Sequence, residues 1–175
     1  MPLIIRRLER TDRREQFDCG DGPLNDYIRR YAWQNQEAHL VGVTYVGVES
    51  DHPQTVIGYY TLAASSIPTE SLPRDAVSHL PPYMVVPVVL LARLAVHSEF
   101  KGRKVGPALL GDALGRCADI GLHIGCRYVI VDAYQTAVDW YSEYGFIPLG
   151  GAAPGAKTQK MFIDLRTVEH GRKTQ

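Results

Sequence analysis

One segment of this 175-residue chain has the residue types and spacing to hold an anion. It reads Leu94-Ala95-Val96-His97-Ser98-Glu99-Phe100-Lys101-Gly102-Arg103-Lys104-Val105-Gly106-Pro107-Ala108. An apolar strand runs into a glycine-containing turn and then into an amphipathic helix. The first turn of a helix has N–H groups without intrahelical acceptors and carries the positive end of the helix dipole, a combination that binds phosphate. Gly102 and Gly106 let the backbone approach such an anion closely, and Lys101, Arg103 and Lys104 add positive charge. Pro107 lacks an N–H but suits a helix start. A diphosphate fits this turn. The spacing is neither GxxxxGK followed by Ser or Thr nor GxGxxG, which argues against a P-loop and against a dinucleotide fold. The plainer alternative is a solvent-exposed turn whose lysines serve solubility.

A second cluster, Trp140-Tyr141-Ser142-Glu143-Tyr144-Gly145-Phe146, offers proton chemistry. A helix here places Tyr141 and Tyr144 on adjacent turns and ends at Gly145. A tyrosine hydroxyl beside a leaving thiolate can protonate it as general acid. Either tyrosine can equally be a core aromatic. Arg93 interrupts the apolar stretch LLARLAV. A buried arginine is costly unless paired, so it is either salt-bridged or facing a cleft. Cys19, Cys117 and Cys126 lack CxxC spacing and read as reduced thiols. The six histidines show no paired ligand spacing, so no metal is expected.

These segments need elements to position them. Leu3 to Leu8 alternates apolar and charged residues, which predicts a first strand. Leu24, Tyr27, Ile28 and Tyr31 fall at helical spacing, with Asp21 and Gly22 as capping residues and Pro23 in the first turn. Arg29 and Arg30 lie on this helix, as a solvated face or a contact surface. Val41 to Val48 and Val56 to Leu62 predict a hairpin around Ser50 to Pro53. Ile67 to Tyr83, punctuated by four prolines, predicts a short helix within a long loop. Val85 to Val96 predicts a buried central strand and Gly106 to Ile120 a helix. Tyr128 to Ala133 predicts a second buried strand. Thr136 to Tyr144 follows as a short helix capped by Thr136. Strands over Phe146 to Leu149 and Lys160 to Leu165 flank a Gly150 to Gly155 loop, and a polar tail closes the chain. The order predicts an α/β domain with a mixed sheet and helices on its faces.

The bulk numbers agree. The length suits one well-cored domain, expected over residues 1–168 with a polar tail at 169–175. Hydrophobic residues make up 45% and charged residues 22%, ordinary for a soluble protein. Lys plus Arg and Asp plus Glu both equal 19, so no overall charge drives the chain toward nucleic acid, although a local basic patch remains open. The longest apolar run, Met84 to Leu91, is too short for a bilayer. With no apolar segment at the N-terminus, a cytoplasmic address and no membrane association are expected.

Taken together, the EFKGRKVGPALL turn, the VIVDA strand and the WYSEYGF helix resemble the GCN5-related N-acetyltransferase (GNAT) superfamily. Its turn follows Gln/Arg-x-x-Gly-x-Gly/Ala. Here Lys101 replaces the Gln or Arg, Lys104 replaces the first glycine, and Gly106 keeps the second. The early FDCG-x-x-x-LNDYI-x-x-x-A-x-QNQ, the VIGYYTLAA strand and the PVVLLARLAV strand extend the likeness from about Leu3 to Leu165. In this order they resemble the acetyltransferase toxins of bacterial toxin–antitoxin modules.

The resemblance implies a single GNAT-like α/β domain. Its sheet would be mixed and mostly antiparallel, with a splay between the two central strands and helices on both faces. It implies acetyl-CoA as co-substrate and no metal. Leu94, Ala95 and Val96 would offer backbone groups to the pantetheine arm and the acetyl carbonyl. Lys101, Gly102, Arg103, Lys104, Val105, Gly106 and Ala108 would hold the pyrophosphate. Tyr141 would be the general acid, with Tyr144 as competitor. Glu99 or Asp132, acting through water, are conceivable bases. The acceptor implied is the α-amino group of aminoacyl-tRNA, with Arg93, Arg29 and Arg30 as RNA contacts beside Lys101, Arg103 and Lys104. A ribbon-helix-helix antitoxin and a homodimer are the implied partners. The alternatives are an acetyltransferase of a small amine, protein N-terminus or lysine, and a non-catalytic module, which Lys104 in place of glycine keeps open.

Overall fold

The Asp21 carboxylate accepts from the Leu24 N–H at 3.0 Å, and Pro23 lies in the first turn, where its missing N–H costs nothing. This cap starts a helical run through Gly22–Asp26 (α1), Tyr27–Tyr31, Ala32–Gln34 (α2) and Asn35–His39, the second and fourth stretches being π-helical. Periodicity predicts one regular helix. Each π turn widens the ring and rotates the face that follows. The run stops where Leu40 turns left-handed at φ 51°. The computed structural model describes residues 2–82 and 84–172.

The strands are β1 (Leu3–Arg7), β2 (Val43–Glu49), β3 (Gly58–Pro68), β4 (Val85–Val96), β5 (Tyr128–Tyr134), β6 (Ile147–Pro148) and β7 (Thr158–Asp164). They form one seven-stranded sheet in the order β1-β2-β3-β4-β5-β7-β6. The β1–β2, β2–β3, β5–β7 and β6–β7 pairs are antiparallel, and β4–β5 is parallel. This is the expected mixed, mostly antiparallel sheet. The parallel register runs Val88↔Tyr128, Val89↔Val129, Leu90↔Ile130, and β4 continues to Val96. Leu94, Ala95 and Val96 therefore lie past the last of these pairs.

Several boundaries differ from expectation. β3 runs on through Ala63-Ala64-Ser65-Ser66 to Pro68, so the predicted long loop is shorter. What remains holds a 3-10 turn at Thr69–Ser71 and the helix α3 (Arg74–Val77), while Tyr83 lies outside the described residues. α4 (Val105–Ile124) exceeds the predicted helix at both ends. Thr136 is not a cap: it sits inside a 3-10 turn, Gln135–Ala137, and α5 (Val138–Glu143) starts after Ala137 with no side-chain cap. Leu165 opens a helix, α6 (Leu165–Arg172), rather than closing a strand. The last residues of the expected tail, 173–175, lie outside the described residues.

Contacts divide the chain into two compact units, Met1–Ala63 with Leu91–Ala113, and Ala64–Leu90 with Leu114–Gln175. In the first, strand alternation sends Val46 and Val48 to one face. There they pack with Tyr59 and Ala95 against Tyr27, Ile28 and Ala32 of the first helical run. Gly47, between the two valines, faces the other way. A Cβ on it would sit 3.5 Å from the Leu109 side chain of α4, and one on Gly58 would sit 2.8 Å from it. Helices thus cover both faces, as expected. Tyr60 stacks on Tyr45 with ring centroids 5.1 Å apart and donates to Asp112 of α4 at 2.5 Å.

The second unit is built around Ile67, Val86, Val88, Tyr128, Ile130 and Phe162. The Tyr128 ring meets the Phe162 ring edge-on at 6.0 Å. Arg127 binds Asp164 at 2.7 Å and covers the Tyr128 ring at 5.0 Å. A Cβ on Gly121 would fall 2.3 Å from the Cys126 carbonyl oxygen, so only glycine lets α4 pass the start of β5.

Candidate active site

In the first unit, β4 ends at Val96 and a 3-10 turn, Ser98–Phe100, redirects the chain. Gly102 and Lys104 then take left-handed backbones at φ 80° and φ 61° before α4 begins. This conformation is routine for Gly102 and uncommon for a residue with a Cβ such as Lys104. The result orders the turn's donors. The N–H groups of Lys101, Arg103 and Ala108 bond to the carbonyls of Ser98, Phe100 and Lys104 at 3.4, 3.3 and 3.2 Å. Those of Gly102, Lys104, Val105 and Gly106 find no acceptor among the described residues. Four donors therefore gather at the N-terminus of a 20-residue helix, the arrangement that binds a phosphate or diphosphate. A Cβ built on Gly102 meets nothing within 4 Å, so the approach is open. Ala108, expected to share in the cradle, uses its N–H inside the helix.

The side chains of the turn divide in the same way. Arg103 lies over the Phe100 ring, 4.9 Å from its centroid. Lys104 is exposed. Lys101 directs its ammonium at the Cys19 carbonyl, 2.8 Å away. Burial holds the Cys19 thiol above its ordinary range.

In the second unit, α5 ends in a Schellman motif. Gly145 is left-handed at φ 92°, its N–H bonds Ser142 O, and the Phe146 N–H bonds Tyr141 O at 3.2 Å. This fixes the backbone of Tyr141. Its side chain is 6% exposed and packs edge-on to Trp140 and Phe146 at 4.9 and 5.3 Å. The Tyr141 hydroxyl has no hydrogen-bond partner among the described residues, and its oxygen is not sealed from solvent as the ring is. Burial pushes its pKa up to about 12, so the group stays a neutral proton donor. Tyr144, the competing candidate, is 38% exposed beside Trp140.

The expected RNA contacts are distributed unevenly. Arg93 is half-buried and has no salt bridge among the described residues: its guanidinium stacks 3.7 Å from the centre of the Tyr27 ring. Arg29 donates twice to the Phe17 carbonyl, at 3.0 and 2.5 Å. Arg30 is exposed and reaches Asp26 at 3.8 Å. Of the conceivable bases, Asp132 is half-exposed and paired with Lys160 at 3.2 Å, and Glu99 is exposed.

Sequence reasoning missed the loop that flanks the turn. Asp18 O accepts from the Ser98 N–H at 2.8 Å, Cys19 O from Lys101, and the Phe17 ring meets His97 edge-on at 5.8 Å. Positions so far apart leave no mark in spacing. The local helix-start reading falls on Asp21, Gly22 and Pro23 and says nothing of the Phe17–Gly20 stretch. Among the described residues no group of His, Cys, Asp and Glu could hold a metal.

Residues 89–162 match the family described as acetyltransferase (GNAT) domain. A tRNA-acetylating toxin of Mycobacterium tuberculosis is 34% identical over 142 residues, 81% of this chain and 82% of that protein. Among solved structures, AtaT complexed with acetyl-methionyl-tRNAfMet aligns with a TM-score of 0.85 at 26% identity, over 98% of this chain and 99% of the other. A tyrosine-to-phenylalanine mutant of the AtaT toxin, bound to the C-terminus of the antitoxin AtaR, aligns at 0.79 with 25% identity over 99% of each. The fold, the helix-terminal turn and the 34% identity across four fifths of the sequence converge on one conclusion: the chain belongs to the GNAT acetyltransferase family.

Proposed function

We propose that this chain transfers the acetyl group of acetyl-CoA to the α-amino group of aminoacyl-tRNA, stops translation by doing so, and is held in check by an antitoxin partner. The observation that carries the acetyl-transfer reading is the turn: four amides without acceptors, at a helix N-terminus, beside an open left-handed glycine. The amides of Gly102, Lys104, Val105 and Gly106 suit the diphosphate, with Arg103 and Lys104 supplying charge around it. Leu94, Ala95 and Val96 lie past the last β4–β5 pair, in keeping with a role for their backbone toward the pantetheine arm. Acetyl-CoA supplies an acyl group activated as a thioester. The acceptor names of the relatives support aminoacyl-tRNA as the amine.

Tyr141 serves as general acid in this reading. The amine nitrogen bonds to the acetyl carbon, the carbon–sulfur bond breaks, and the departing thiolate takes the Tyr141 proton. The nitrogen releases its proton to solvent, and solvent returns one to the Tyr141 oxygen, which restores the phenol. The attacking amine must be neutral. An α-amino group has a reference pKa of about 7.7–8.0, so near neutral pH much of it is ready without a strong base. That fits the exposed Glu99 and the paired Asp132, neither of which is built as one.

Among the described residues no helix is long and apolar enough to cross a membrane. A site of action in the cytoplasm, where aminoacyl-tRNA is used, and a homodimeric state complete the proposal. The balanced charge and the engagement of Arg29 and Arg30 within the chain favour a second reading, acetylation of a small amine or a protein N-terminus. Cell-free translation separates the two. Inhibition that requires acetyl-CoA, with acetylated aminoacyl-tRNA recovered from the reaction, supports the toxin reading. Translation unaffected under both conditions overturns it in favour of the second.

A further inference from the structure

We infer that Lys101 is a positioning residue: through Cys19 it clamps the cofactor turn in a backbone conformation that Lys104 alone does not favour. The inference rests on the turn's role as holder of the acetyl-CoA diphosphate. Lys104 is left-handed at φ 61° and exposed. A residue with a Cβ persists in that region only where its surroundings over-determine it. On the C-terminal side the surroundings are α4, entered through the Ala108 N–H to Lys104 O bond.

On the N-terminal side the restraint comes from the Asp18–Gly20 loop. Ser98 N–H donates to Asp18 O at 2.8 Å, and the Lys101 ammonium donates to Cys19 O at 2.8 Å. The second bond is charge-assisted and ties the residue immediately before Gly102. Its acceptor stands on a rigid post. The Cys19 N–H bonds the Asn25 side-chain oxygen at 2.9 Å, while the Asn25 amide nitrogen and the Gly20 N–H donate to the Asp18 carboxylate at 2.8 and 2.9 Å. The Gly20 and Asn25 bonds hold that carboxylate below its usual pKa, so it stays an acceptor at neutral pH. Asn25 is buried in α1. Rather than facing the anion, the Lys101 cation holds the frame in which the amides face it.

The test is a double-mutant cycle on the full chain, read by calorimetric titration with acetyl-CoA: the unaltered protein, Lys101→Met, Lys104→Gly and the double variant. Glycine adopts the left-handed turn without help, so it should make the clamp dispensable. Lys101→Met is expected to weaken binding about fivefold beside Lys104, the order of one charge-assisted hydrogen bond, and less than about twofold beside Gly at position 104. In steady state the single variant should raise KM for acetyl-CoA and leave kcat unchanged, and Lys101→Arg should restore KM. Equal losses in the two backgrounds would mean that Lys101 touches the diphosphate directly and would overturn the inference, as would an unchanged KM in Lys101→Met. Failure of the unaltered protein to bind acetyl-CoA would sink the proposed function itself, a result distinct from either.

Discussion

Tyr141 combines two properties that pull against each other in an ordinary core aromatic. Its ring is packed as a core residue, yet its hydroxyl has no partner among the described residues. A ring held in the core with its hydroxyl oxygen left accessible and unpartnered is the disposition of a donor awaiting a substrate atom. Tyr141→Phe removes only the hydroxyl and keeps the ring contacts with Trp140 and Phe146. Turnover is expected to fall about a hundredfold or more, with acetyl-CoA affinity unchanged by calorimetry. A variant that keeps full turnover returns Tyr141 to the core. The pH profile gives a second check with a definite sign. The acid works only while protonated, and its pKa is raised, to about 12, by burial. Activity should therefore rise as the acceptor amine deprotonates. It should then stay level past pH ~10, where an unperturbed tyrosine would begin to fail, and fall only as pH approaches the shifted value. A hydrolysis-resistant amide analogue of aminoacyl-tRNA allows the measurement. A descending limb centred near pH 10 would contradict the assignment.

At the scale of elements, close approach is what glycine makes possible, and two positions rank the consequences. A Cβ on Gly121 would lie 2.3 Å from the Cys126 carbonyl oxygen, a backbone atom with nowhere to go. One on Gly58 would lie 2.8 Å from the end of the Leu109 side chain, which can turn aside, and 3.2 Å from Ala95 O. Gly121→Ala is expected to cost about 3 kcal/mol or more and Gly58→Ala about 1–2 kcal/mol, the range for overpacking, measured as shifts in urea unfolding. The reverse order would mean that α4 is free to move off β5. The same elements show which signals a sequence carries. Asp21 with Pro23, Gly145 and the apolar β4 were legible because capping, left-handed closure and burial each act within a few residues. The reach of β3 through Ala63-Ala64-Ser65-Ser66 was not. Those residues have little strand preference of their own, and sheet pairing overrides propensity. The π turns after Asp26 and Gln34 and the bond between Lys101 and Cys19 were equally invisible, since tertiary packing selects them.

For the molecule as a whole, charge decides how an RNA could be held. The sequence balances 19 basic against 19 acidic residues, so attraction must come from distribution. Within the site several basic groups are already engaged. Lys101 serves Cys19, Arg29 serves Phe17, and Arg30 sits beside Asp26. Arg93 keeps its charge while stacked on Tyr27, and Arg103 does the same over Phe100. With Lys104 that leaves about three cations with no hydrogen-bond or ion-pair partner among the described residues. Each phosphate contact contributes roughly 0.7–0.9 to the slope of log affinity against log salt. Binding of tRNA to the isolated chain should thus show a shallow slope, about −2 to −3, measured by filter binding between 50 and 200 mM salt. A slope steeper than about −6 would mean phosphate contacts well beyond this site, on another basic surface of the chain or on a second copy. The shallow outcome instead assigns recognition to the end of the RNA that enters chemistry. There the amine and its esterified residue are read by contact, and the phosphate backbone contributes little.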